Sequence, residues 1–167
     1  VCSSDLANCE DELLAIVREL AGIDDAATRA LKNVCLALLL KVDSNYASLA
    51  EQQYNNAENM TDSLAALSAL NGESSAIREQ LMAKFEQKWL KTPLVMDKWL
   101  GLHATFTNDN CIDKLKSLFD HEAFSFNNPN RVRSLIGIFA AANTFEFHRH
   151  DGLGYQFLTD AIIKLNT

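Results

Sequence analysis

Apolar residues recur every three or four positions along most of this chain, which is the spacing of helices that bury one face. The pattern is clear at residues 10–21 and again at 74–90, where four large apolar side chains follow one another every four residues. A further helix is predicted at residues 25–40, and from Val34 to Leu40 it is apolar on nearly every side. That stretch therefore predicts an inner, buried helix.

Turn-forming residues separate these helices. Asn71-Gly72, Thr92-Pro93 and Asn128-Pro129 each interrupt the pattern, and Asn128 is placed to cap a helix whose first residue is Pro129. Further helices are predicted at 46–56, 59–70, 94–105, 110–120, 129–142 and 155–165. No alternating strand pattern occurs in the sequence, and the connections are short. We therefore predict an all-α fold, an irregular α-solenoid of stacked antiparallel helix pairs resembling HEAT or ARM repeats, with about nine helices.

Composition and charge restrict the class of protein. The chain has 167 residues, of which 48% are hydrophobic and 22% charged, with a formal net charge of −7. This balance predicts a single folded domain, which we assign to residues 7–167. An acidic chain without a basic stripe is a poor match for nucleic acid, and the longest apolar run, 34–40, is far shorter than a membrane span of roughly 20 residues. We expect neither a nucleic-acid partner nor a membrane partner.

The cysteines and the first residues bear on location and on the limits of the chain. Cys2, Cys9, Cys35 and Cys111 include no C-x-x-C pair, which predicts reduced, buried thiols and a cytoplasmic protein. Residues 1–6 read VCSSDL, a string typical of translated sequencing adapter. We interpret them as such a scar or as a disordered terminus, and exclude them from the prediction of the fold.

The four histidines are the first candidates for catalysis or metal binding. His121 begins HEAFS, but a zinc peptidase helix needs H-E-x-x-H, and position 125 is serine. His148 and His150, with Asp151, could form a weak divalent site, although no remote Cys or His is evident as a further ligand. Structural or solvent-exposed histidines are the favoured interpretation. The sequence also lacks a G-x-S-x-G elbow and a P-loop, so we predict no catalytic residue.

Two arginines at the start of the helix 129–142 are harder to dismiss. Arg131 and Arg133 place positive charge where it opposes the helix dipole, and they point about 200° apart around the helix. We expect one to pair with an acidic neighbour and the other to face a cavity or a partner, with two structural salt bridges as the alternative. Arg133 borders the apolar stripe three residues before Ile136, so it is predicted to be the buried or cavity-facing member.

Several segments are specific enough to indicate a family. They are PNRVRSLIGIF, FHRHDGLGYQFL, NMTDSLAALSAL and KW…LVMDKW. Together they resemble the C-terminal helical domain of the bacterial aminopeptidase N family, the alanyl aminopeptidases, from about residue 12 to residue 166. Members of this family are zinc metallo-aminopeptidases whose catalytic domain carries HEXXH, a further Glu ligand and a G-x-M-E-N motif. Neither motif is present in this sequence.

The resemblance implies a role for the chain as one piece of a larger enzyme. It implies a truncated solenoid that caps the active-site chamber and limits access of substrates, with Arg131 and Arg133 on the cavity wall. Zinc would lie in the catalytic domain of the same polypeptide, this chain would bind none, and alone it would be inactive. The partners implied are that catalytic domain and peptide substrates. The alternatives are a stand-alone helical-repeat interaction module and a small metal-binding protein that uses His148 and His150.

Overall fold

The computed structural model describes residues 8–23, 25–72, 75–108 and 110–166, and in these residues the chain forms helices and no strand. The all-α fold class is therefore confirmed. The residues assigned to the adapter scar or terminus, 1–6, lie outside the described residues.

None of the described helices has both the length and the apolar character that crossing a membrane requires. In chain order the α-helices are α1 Glu10–Glu19, α2 Ala26–Val42, α3 Ala47–Asn56, α4 Met60–Ala69, α5 Ala76–Trp89, α6 Pro93–Ala104, α7 Cys111–Ser117, α8 Pro129–Val132, α9 Ile138–Ala142, α10 Thr144–Phe147 and α11 Leu153–Leu165.

The chain divides into two compact units, one that ends at Leu81 and one that begins at Met82, with the division inside α5. Single turns of 3₁₀ helix extend several of the connections, at Ser44–Tyr46, Leu70–Gly72 and Leu118–Asp120. We describe each unit by itself. The assignment of one domain to residues 7–167 stays a prediction.

In the first unit, α2 packs against α1 and α4, and α3 packs against α4. Leu36 and Leu39 on α2 are fully buried, as are Ala66 and Leu67 on α4. The prediction of an inner, buried helix holds for the face of α2 that carries Leu36 and Leu39 and not for the opposite face, where Val34 is 56% exposed. An apolar run in the sequence does not by itself tell how many faces of a helix are covered.

Side chains at the helix starts satisfy backbone N–H groups that have no partner within the helix. Asp25 accepts hydrogen bonds from the N–H groups of Ala27 and Thr28, at 3.1 and 3.0 Å. At α4 the cap is Asn59, whose Oδ1 accepts from the Asp62 N–H at 2.9 Å.

In the second unit, α6 provides the centre of the core, since every residue from Trp99 to Ala104 is buried. A cluster of phenylalanines packs beside it, with Phe157 stacked on Phe119 and edge-on to Phe139. Phe124, Phe139 and Phe157 are buried, whereas Phe145 is 76% exposed and does not belong to this core. Gly154 lies so close to Phe147 that a Cβ at this position would overlap the Phe147 carbonyl.

The predicted helix at 129–142 is present but not regular. Asn128 caps it through its side chain and Pro129 is its first residue, as predicted. A π-helical turn, Arg133–Gly137, then separates α8 from α9 and packs against α6. Such turns insert one extra residue and shift the phase of the side chains that follow.

The cysteines match the prediction in part. Cys35 and Cys111 are buried, whereas Cys9 is exposed. Cys2 lies outside the described residues. Burial raises the pKa of the Cys35 thiol, which favours its protonated form.

Candidate functional site

Arg131, one of the two arginines predicted as site residues, makes a largely buried ion pair in the second unit. Its Nη1 donates to Asp97 Oδ1 at 2.6 Å and to the Pro93 carbonyl at 2.7 Å. The Arg131 side chain is 10% exposed and that of Asp97 is 18% exposed. The guanidinium therefore connects the start of α8 to the first turn of α6 through two charge-assisted bonds.

Arg133 is exposed, and its Nη1 donates only a 3.3 Å bond to the neutral Asn130 Oδ1. No acidic partner of Arg133 occurs among the described residues. The prediction that Arg133 is the better candidate for the buried ion pair is therefore wrong, and the role belongs to Arg131. The prediction counted a regular α-helix back from Ile136, whereas the π-helical turn Arg133–Gly137 changes that spacing, and Arg131 is only 8% exposed. Whether either arginine lines a substrate cavity stays a prediction.

Three of the four histidines of the second unit have a structural neighbour, and the fourth, His150, is exposed. His121 Nε2 lies 3.0 Å from Glu86 Oε1, and its ring packs on Trp99 at 5.1 Å between centroids. His103 is buried edge-on to Trp99. His148 Nδ1 lies 2.6 Å from the Tyr155 hydroxyl. Within the described part of the chain, no three His, Cys, Asp or Glu side chains are grouped so that they could hold a metal ion.

Arg149, between the two histidines of the HRHD segment, links two carboxylates. Its Nη1 donates to Glu146 Oε2 at 3.0 Å, and its Nη2 donates to Asp151 Oδ2 at 2.9 Å. The Arg149 guanidinium lowers the pKa of Asp151, and the Leu153 backbone N–H contributes to this shift. The two ion pairs of Arg149 thus connect Glu146 to the turn before α11, which is a structural role.

Sequence reasoning missed a polar network in the first unit, centred on Asp62. The carboxylate accepts from Asn33 Nδ2 at 3.0 Å and from Asn59 Nδ2 at 3.2 Å, and it pairs with Lys32 Nζ at 3.3 Å. Burial opposes the charged form of Asp62, but the amide bonds and Lys32 outweigh it and lower its pKa. Gln53 completes the network by donating to Asn33 Oδ1 at 2.8 Å and to the Asp62 carbonyl at 3.1 Å.

This network forms the floor of a groove of about 520 Å³. Lys32, Gln53, Asn59 and Asp62 line it on the polar side, and its apolar lining includes Val17. The sequence signal that could have pointed to it is small: Lys32 lies one turn before Cys35 and Leu36, on the face of α2 that is buried. Lysine in such a position needs a partner, and the partner lies 30 residues further along the chain.

Comparison with known proteins identifies the helical domain. The family described as "Domain of unknown function (DUF3458_C) ARM repeats" matches residues 4–167. Aminopeptidase N of Haemophilus influenzae is 49% identical over 142 residues, which cover 85% of this chain and 16% of that protein. Aminopeptidase N of Escherichia coli is 42% identical over 164 residues, which cover 94% of this chain and 19% of that protein.

A solved structure supports the same relation. The crystal structure of Legionella pneumophila aminopeptidase A in complex with aspartic acid superposes with a TM-score of 0.86 and 29% identity, over 98% of this chain and 21% of that chain. This chain spans less than a fifth of the length of the curated relatives given above. The resemblance seen in the sequence is confirmed: the chain belongs to the DUF3458_C family of ARM-repeat domains and matches the C-terminal helical domain of aminopeptidase N.

Proposed function

We propose that this chain is the C-terminal helical domain of a cytoplasmic, zinc-dependent aminopeptidase that removes N-terminal residues from peptides. In this proposal it caps the active-site chamber, limits the size of substrates that enter, and supplies no catalytic residue of its own. Its main partner is the catalytic domain of the same polypeptide. The match to aminopeptidase N over most of this chain, but less than a fifth of those proteins, carries the proposal.

Zinc does not fit the described residues of this chain. The described residues contain no group of three metal-binding side chains, and the HEAFS segment has serine where a zinc peptidase has its second histidine. We therefore assign zinc, which would activate water for hydrolysis, to the catalytic domain, and derive no step of the reaction from this chain.

The first test compares this chain with the full-length parent enzyme. The parent should hydrolyse alanine p-nitroanilide and contain stoichiometric zinc by mass spectrometry, whereas this chain should do neither. One equivalent of tightly bound zinc on this chain, lost in a His148→Ala, His150→Ala double variant, would contradict the proposal in favour of a metal-binding protein. An inactive parent would favour the interaction module instead.

The second test concerns the chamber. A cap that limits access predicts that the parent cleaves unfolded peptides but leaves a folded protein with the same N-terminal sequence intact. The matched control is that folded protein after chemical denaturation, which should be cleaved. Equal rates on the folded and the denatured forms would argue against a cap.

The third test concerns Arg133 as a residue of the cavity wall. Its guanidinium is exposed and bonded only to a neutral amide among the described residues, so it is available to a peptide's terminal carboxylate. In the parent, Arg133→Ala should lower kcat/KM for a dipeptide by about fivefold to tenfold, from the loss of one exposed charge-assisted bond. Hydrolysis of the p-nitroanilide, which has no carboxylate, should not change, and Arg133→Lys should restore part of the loss.

A further inference from the structure

Arg133 keeps its positive charge in a way that Arg131 does not. Arg131 Nη1 lies 2.6 Å from Asp97 Oδ1, so a carboxylate balances that guanidinium. Arg133 Nη1 instead donates to Asn130 Oδ1 at 3.3 Å, and this acceptor belongs to a neutral amide. A neutral acceptor orients a guanidinium and leaves its positive charge uncancelled.

Asn130 is itself held in place at the start of the helix. It is the second residue of α8, and its backbone N–H donates to the capping side chain of Asn128 at 3.0 Å. Arg133 follows three residues later, so the side chains of residues 130 and 133 are neighbours on the helix surface. The position of the acceptor is therefore set by the same cap that starts the helix.

The side chain at position 130 is not the one that local electrostatics favours. Negative side chains are stabilised in the first turn of a helix, and a carboxylate at position 130 would also pair with Arg133. Aspartate has nearly the shape of asparagine and would gain from both effects. Asparagine keeps the acceptor and gives up both gains, which a need for the positive charge of Arg133 would explain.

The Arg133 side chain is also uncovered at the next turn of the helix. Gly137 is exposed, and a Cβ at this position would lie 3.6 Å from Arg133 Cγ. With glycine there, no side chain of residue 137 lies against the stem of Arg133. A ligand can therefore approach the Arg133 side chain past residue 137.

We infer that Asn130 is a positioning residue that sets the preference for substrates with a terminal carboxylate, because it orients the Arg133 guanidinium and leaves its charge for that carboxylate. The inference rests on the proposed function, in which Arg133 lies on the wall of the substrate chamber. The substrates concerned are short peptides with a free C-terminus. A substrate that ends in an amide lacks the negative charge and gains no charge-assisted bond from Arg133.

The contact is tested first in this chain, by thermal unfolding and without enzyme activity. Asn130→Asp should raise the Tm, and about 1–2 °C of the gain should disappear in an Arg133→Ala background, because the new ion pair is lost. Asn127→Asp, which adds the same charge at an exposed position three residues earlier, is the matched control and should give no such difference. An equal gain from Asn130→Asp in both backgrounds would overturn the inference.

The preference is tested in the parent enzyme with alanylalanine and its C-terminal amide. Asn130→Asp should raise KM for alanylalanine, relative to KM for the amide, about threefold to fivefold, because the new carboxylate cancels the charge of Arg133. The change should fall on KM and not on kcat. Asn130→Ala should change this ratio only about twofold, and Asn127→Asp should leave it as in the original enzyme. An effect of Asn130→Asp that is no larger than that of Asn130→Ala, or that persists in an Arg133→Ala background, would refute the inference.

The same variants separate this inference from the proposed function. If Arg133→Ala lowers the preference for alanylalanine and Asn130→Asp does not, Arg133 keeps its role and the inference about Asn130 is wrong. If neither variant changes the preference, the inference and the role of Arg133 both fail. If an acidic side chain elsewhere in the parent pairs with Arg133, Arg133→Ala will lower the Tm of the parent more than that of this chain, and that result would also overturn the inference.

Discussion

Arg131→Ala should destabilise the second unit far more than Arg133→Ala, although the two residues are neighbours on one helix. The change removes the 2.6 Å bond to Asp97 and the 2.7 Å bond to the Pro93 carbonyl. Removing one partner of a buried ion pair costs about 3–5 kcal/mol, because the other charge stays buried without compensation. Asp97 retains 18% exposure and can regain some water. We therefore expect a loss of about 2–3 kcal/mol in the free energy of unfolding.

The assay is urea unfolding of this chain, followed by circular dichroism and by the fluorescence of the tryptophans. Arg133→Ala, the matched control, should stay within about 0.5 kcal/mol of the original protein. A double-mutant cycle of Arg131→Ala with Asp97→Ala should give a coupling of about 1 kcal/mol or more. Equal losses for the two arginine variants, or a coupling near zero, would refute the assignment of the buried pair.

Three further changes test other parts of the structure. Gly154→Ala should cost about 2 kcal/mol or more by urea unfolding, because the new Cβ overlaps the Phe147 carbonyl, whereas Gly137→Ala should be nearly neutral, since only ordinary contacts await it. Asn143→Ala removes the amide that donates to two backbone carbonyls at 3.0 and 2.9 Å and should cost about 1–3 kcal/mol in the same assay. The pKa of Asp62 is lowered in the folded state. Its contribution to stability is therefore present above its unfolded pKa of about 3.9 and is lost as pH falls through the folded pKa. Asp62→Asn should remove this acid-side loss from the pH dependence of the free energy of unfolding.

The helices and their ends could be predicted because their causes are local. Asn128 and Pro129 mark a helix start by side-chain capping and by a fixed φ angle, and the structure has both features. Gly22, in the turn that follows α1, adopts the left-handed conformation with φ of 83°, which glycine allows without strain. Such signals depend on a few neighbouring residues. They do not depend on which helix packs against which.

The partners of the buried charged side chains could not be predicted in the same way, because these partners are distant in sequence. Asp97 is 34 residues from Arg131, and no pattern in the sequence distinguishes it from other acidic residues. The order of the two arginines was not accessible either. The prediction counted a regular helix back from Ile136, and the π-helical turn Arg133–Gly137 changes that spacing. The spacing of apolar residues in the sequence did not indicate this π-helical turn.

Each unit contains a buried long-range charge pair, Lys32 with Asp62 in the first and Arg131 with Asp97 in the second. Such a pair need not be more stabilising than apolar side chains of the same size, because both charges lose their water. Its partners are nevertheless satisfied in one arrangement only: Asp62 must meet two amides and an ammonium at once. Apolar rows rich in leucine and alanine can slide by one turn with little change in contact, whereas a charge pair cannot. This difference explains why losing one partner costs more than the pair contributes, and why the single substitutions above are informative about packing.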